Sequence, residues 1–97
     1  VKSELKELTY PTYYFELDEG AYNAVLAGAN VVLYLDFVDD VSFKKAQIFV
    51  NGHVLNVNTK DKQWFAILTL FVDKGSNAVE IVPRSTLDIL NLEVVME

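Results

Sequence analysis

Aromatic side chains are the richest chemical inventory of this sequence: one Trp, five Tyr and six Phe in 97 residues. Sugars present apolar C–H faces that stack on Tyr and Trp rings, and the phenol and indole groups add a polar handle. Tyr10, Tyr13, Tyr14 and Trp64 are of the type that forms such a platform, with Asn56, Asn58 or Gln63 supplying hydrogen bonds. The candidate ligand-binding set is therefore Tyr10, Tyr14, Trp64, Asn58 and Gln63. The competing reading packs Tyr13 and Phe15 inward from an edge strand and makes Trp64 a core anchor, because aromatic residues contribute heavily to small cores.

Other chemistry finds little support. His53 is the only imidazole and directly follows a turn dipeptide, which reads as a solvated hairpin shoulder. No serine stands in a G-x-S-x-G setting, and nothing in the spacing brings Ser42, Ser76 or Ser85 to His53. Asp18-Glu19 and Asp39-Asp40 would serve glycoside hydrolysis only across a shared cleft, and adjacent acids at strand ends are ordinarily solvated turn residues. The absence of cysteine removes disulfides, thiolate zinc sites and thiol nucleophiles, and one histidine rules out multi-histidine metal sites. No Gly-rich phosphate loop or EF-hand spacing occurs. The expectation is a protein that is not an enzyme and needs no cofactor.

Eight Lys plus Arg against fourteen Asp plus Glu give a net charge of −6, which repels a phosphate backbone and argues against nucleic-acid binding. No apolar run approaches the ~18 residues of a membrane span. The chain opens on Val1 and its only Met is Met96, so it reads as processed or excised from a longer polypeptide.

The elements that must position these groups are strands. Residues 1–8 read as a lead-in or linker, and 9–97 as one domain. Thr9 to Phe15 is aromatic and β-branched, with Pro11 pointing to a sheet edge. Asp18-Glu19-Gly20 reads as a turn, and Tyr22 to Ala27 as a short strand ended by Gly28. Asn30 to Val38 follows. Ala46 to Val50 and His53 to Val57 flank Asn51-Gly52, the dipeptide suited to the two positive φ values of a type I′ hairpin. Trp64 to Val72, Asn77 to Val82 and Leu87 to Met96 complete seven or eight short strands, the pattern of an all-β antiparallel sandwich. In the last strand the apolar parity slips, which predicts a β-bulge near Ile89-Leu90.

The hydrophobic fraction is 52% and the mean hydropathy +0.20, more apolar side chain than one interior needs. The surplus maps to two strands that are apolar on both faces: Phe65, Ile67 and Phe71 oppose the Trp64 row, and Val32, Tyr34 and Val38 oppose the Val31 row. These second rows require a cover, from the N-terminal aromatic segment, a neighbouring domain or a second copy. Self-association or an inter-domain contact through Phe65, Ile67, Phe71, Val32 and Tyr34 is the expectation.

Ala46-Gln47-Ile48-Phe49-Val50-Asn51-Gly52, Trp64, Val72 to Ile81 with its Gly75-Ser76-Asn77, and the closing run Leu87 to Val95 together resemble the C-terminal half of galactose-binding-like jelly rolls. That group includes many carbohydrate-binding modules. The resemblance implies a jelly-roll sandwich and a carbohydrate partner. It also implies a structural calcium in some members, for which Glu16 and Asp18 are the first-strand counterparts, while Asn91 stands where those families often have aspartate. Two functional expectations remain open: a non-catalytic accessory module that binds carbohydrate, with an extracellular or cell-surface setting, and a protein-interaction or assembly module with no sugar ligand.

Overall fold

The Asn51-Gly52 turn forms as its sequence predicts, with φ of 50° at Asn51 and 87° at Gly52, and it pairs Val50 with His53. This hairpin belongs to a computed structural model that describes residues 2–3, 12–38, 41–85 and 87–97. In chain order its elements are β1 (Lys2–Ser3), β2 (Thr12–Leu17), α1 (Glu19–Leu26), β3 (Val31–Phe37), β4 (Lys44–Val50), β5 (His53–Thr59), β6 (Gln63–Ile67), β7 (Gly75–Pro83) and β8 (Leu87–Met96). The strands make two antiparallel four-stranded sheets, a first in the order β1-β8-β3-β6 and a second in the order β2-β7-β4-β5. The protein is an all-β sandwich.

Alternation along the strands builds the interior. Val31, Leu33, Leu35 and Phe37 of β3 face Ala46, Ile48 and Val50 of β4 and Val79 and Ile81 of β7, all within one buried cluster. A two-residue period places every second side chain on the same face, so one apolar row per strand suffices for each sheet. In β8 the register shifts so that Asp36 pairs with Asn91 but Phe37 with Ile89, leaving Leu90 as the extra residue. The bulge keeps Ile89 buried before it and Leu92 and Val94 on the core after it, while Leu90 turns outward. The N-terminal segment enters at an edge, as Pro11 suggests: β2 is the outermost strand of the second sheet. Tyr10 and Pro11 themselves, with most of the 1–8 lead-in, lie outside the described residues, and Lys2–Ser3 pairs with β8.

Two segments differ from the sequence expectation. Residues 19–26 form a helix rather than a turn and a strand. Asp18 caps it, its Oδ1 accepting from the Ala21 N–H at 2.8 Å. Gly28 at φ 114° ends it, with Gly28 N–H donating to Val25 O at 3.1 Å and Ala29 N–H to Ala24 O at 3.0 Å, the two bonds of a Schellman motif. Ala21, Tyr22 and Val25 turn toward the core. Second, β6 stops at Ile67 instead of running to Val72. Leu68 N–H still donates to Val31 O at 2.7 Å, but Phe71 N–H then turns back to Leu68 O at 2.8 Å. Strand parity ends there, so Leu68 and Val72 are buried while Leu70 projects into solvent.

Asn77 is the buried polar residue that joins the loops at one end, 1% exposed. Its Nδ2 donates to the carbonyls of Asp73 at 2.9 Å and Gly75 at 3.1 Å, and its Oδ1 accepts from Asp73 N–H at 2.7 Å and from Asn51 Nδ2 at 2.8 Å. Asn51 in turn donates to Phe71 O at 2.7 Å and accepts from Ala78 N–H at 2.9 Å. Every donor and acceptor of the Asn77 amide is used. Asn77→Ala strands these partners in a buried setting and should cost about 1–3 kcal/mol. Urea unfolding measures this as a lowered midpoint at unchanged slope, with Ser76→Ala within error of the parent.

Candidate functional site

The sugar-platform residues do not converge. Tyr14 is 72% exposed on the outer face of β2. Asn58 is exposed on β5, the opposite edge strand of the same sheet. Trp64 pairs with Leu35 in the first sheet and packs, half-buried, against the core. Its neighbour Gln63 faces the other way and donates from Nε2 to Asp36 Oδ1 at 3.0 Å. Tyr10 lies outside the described residues. Trp64 thus takes the anchor position that its bulk favours, and Tyr14 stands apart from it in the other sheet.

The calcium counterparts are likewise separated. Glu16 is exposed on β2, Asp18 is engaged as the helix cap, and Asn91 sits in the first sheet, its Nδ2 at 3.4 Å from Asp36 Oδ2. Among the described residues no three His, Cys, Asp or Glu side chains cluster as metal ligands. Asp39 and Asp40 lie outside the described residues. His53 stacks on Phe71 with ring centroids 5.0 Å apart, and Ser85 is held at the far end of β4, its Oγ accepting from Lys45 N–H at 3.0 Å.

The residues expected to seek a cover divide into two groups. Phe65 and Ile67 are exposed, at 61% and 55%, on the outer face of β6, the edge strand of the first sheet. Tyr34 lies beside them, its ring centroid 6.1 Å from that of Phe65. Val32, by contrast, is buried: it sits on central strand β3, flanked in register by Ile67 and Val95. Phe71 is half-buried because the chain has already left the strand and folded it back over His53.

The outer face of the first sheet is graded. A polar row, Asn91-Asp36-Gln63, gives way to Glu93-Tyr34-Phe65 and then to Val95-Val32-Ile67. The Tyr34 hydroxyl donates to Glu97 Oε1 at 2.7 Å. That bond, with a smaller effect of desolvation and the repulsion of Glu97 and Glu93, raises the phenol above its ordinary 10.0.

The outer face of the second sheet carries an open groove of about 290 Å³ lined by Lys45, Gln47, Asn56, Asn58 and Arg84 among others. Register assembles it: Lys45 pairs with Asn58 and Gln47 with Asn56 across β4 and β5. Arg84, just past β7, is brought alongside when its N–H donates to Lys45 O at 2.7 Å. Its guanidinium donates to Gln47 Oε1. The polar roles of Lys45, Gln47 and Arg84 escaped sequence reasoning, since the signal is strand pairing rather than a contiguous motif.

The fold and surface define a class, an antiparallel β-sandwich with one outer face graded from polar to apolar and one polar groove. No protein-family model, curated protein or solved structure matches the chain.

Because the fold binds the neutral phenol of Tyr34 more tightly than its anion, this contribution to stability is present below pH 10 and lost as pH rises through the elevated pKa. In an ultraviolet difference titration, Glu97→Gln should bring one tyrosine's midpoint back down toward the ordinary value.

Proposed function

We propose that this domain is a non-catalytic interaction module, of the galactose-binding-like sandwich kind, that docks a second copy of itself through β6. The observation that carries the reading is the outward exposure of Phe65 and Ile67 on an edge strand. Edge strands are normally guarded by charge, proline or a bulge within the strand, and Gln63–Ile67 has none of these. An exposed row of unpaired backbone groups beside apolar side chains favours strand addition.

A second copy suits this edge because the strand is compatible with itself. Antiparallel pairing about a two-fold axis at Phe65 sets Phe65 against its own copy, Gln63 against Ile67, and Lys62 against Leu68, so no like charges meet. Burying a Phe side chain contributes about 1.5–3 kcal/mol. The net charge of −6 on each copy opposes approach, so association strengthens with salt. The resemblance to galactose-binding-like domains rests on motifs that include Asn51-Gly52 and Gly75-Ser76-Asn77, and in this chain those residues serve the amide pairing at one end of the sandwich.

Sedimentation equilibrium over a wide concentration range tests the reading. The expected result is a reversible dimer whose dissociation constant rises at least about ten-fold in Phe65→Lys, with the circular dichroism spectrum retained. A monomer at every concentration, at low and high salt alike, overturns it.

A further inference from the structure

The groove on the second sheet is chemically distinct from the β6 face and independent of any dimer. Two cations, Lys45 and Arg84, stand there in a chain with fourteen acids and eight bases. Among the described residues no carboxylate is paired with either of them, and the one side-chain partner of Arg84 is the neutral amide oxygen of Gln47. That contact occupies one guanidinium nitrogen and, among the described residues, leaves the rest of the fork without a side-chain partner. A guanidinium held in this way recognises a planar anion, a carboxylate above all, through paired N–H donors.

The other polar lining is made of amides. Asn56 and Asn58 are exposed, and Gln47 is half-buried. Each amide offers donors and an acceptor together, which is the complement of a hydroxyl group, itself both donor and acceptor. A bare anion requires only donors. A nucleic-acid backbone requires a longer run of cations than two. The groove is open along the sheet face.

From this juxtaposition we infer that the groove of Lys45, Gln47, Asn56, Asn58 and Arg84 binds a sugar acid, a hexuronate residue whose carboxylate meets Arg84 and Lys45 and whose hydroxyls meet the amides. Gln47 is a positioning residue for the guanidinium, and Asn56 and Asn58 select the polyol.

Heteronuclear NMR titration of the whole chain with sodium glucuronate, glucose and inorganic phosphate at matched ionic strength tests the site. Glucuronate should give saturable shifts at the backbone amides of Lys45, Gln47, Asn56 and Asn58. Glucose and phosphate should each bind at least about ten-fold more weakly, the first lacking the anion and the second the polyol. Arg84→Ala should weaken glucuronate by a similar factor, with Lys45→Ala as a second variant. Phe65→Lys should leave the titration unchanged, which separates this site from the dimer. The absence of saturable shifts at these residues overturns the inference. Glucose binding as tightly as glucuronate also overturns it, as does phosphate binding equally well, which would mark a general anion site.

Discussion

The Asn51–Asn77 amide pair is the constraint on which one whole end of the sandwich depends. A hairpin turn, the loop after β6 and the entry to β7 are three irregular segments with polar backbone groups that the ladders do not satisfy. Asn77, 1% exposed, supplies four hydrogen bonds to that region, and Asn51 carries the connection into the hairpin. Asn51 can do so because it is held at φ 50°, a left-handed conformation that asparagine tolerates better than most residues. A buried amide is favourable only when fully partnered, so turn geometry, loop path and strand register must all be correct together.

The opposite end solves a similar problem with a charge. Lys44 is 3% exposed at the start of β4. Its Nζ donates to Lys60 O at 2.5 Å and lies 5.7 Å from the centroid of the Phe37 ring. A buried ammonium is costly unless oriented dipoles and a ring face replace its hydration. Lys44 thereby ties the start of one sheet to the end of β3 in the other. The Leu90 bulge lies at this same end, opposite the Asp36–Phe37 step, where it resets the parity of β8.

Much of this was legible in residue order. The I′ turn follows from Asn-Gly, the β8 bulge from the break in apolar parity between Ile89 and Leu92, and the edge position of β2 from Pro11. The helix was hidden because Asp18-Glu19-Gly20 carries turn chemistry and eight residues show too few apolar repeats for a clear 3.6 period; the Asp18 cap and the Gly28 terminator, read together, were the available signal. The end of β6 was hidden because Leu68, Leu70 and Val72 continue a strand-like alternation through a turn, so periodicity alone gave a strand several residues too long. The groove was invisible for a different reason. Its cations and amides come from positions 45 to 84 and become neighbours only through the β4–β5 and β4–β7 registers.

The apolar surplus of the composition is also reinterpreted by burial. Two of the six suspected second-row residues are covered: Val32 is enclosed on a central strand and Phe71 is half-buried over His53. Of the rest, Val38 beyond β3 and Phe65 and Ile67 on β6 stay exposed, the last two at the apolar end of a face whose other end is the hydrogen-bonded row Asn91-Asp36-Gln63. The two outer faces of the sandwich therefore differ in kind. The first carries Phe65 and Ile67 beside the β6 edge; the second carries the cations and amides that register assembles across β4 and β5, together with the exposed side chains of Tyr14 and Val54.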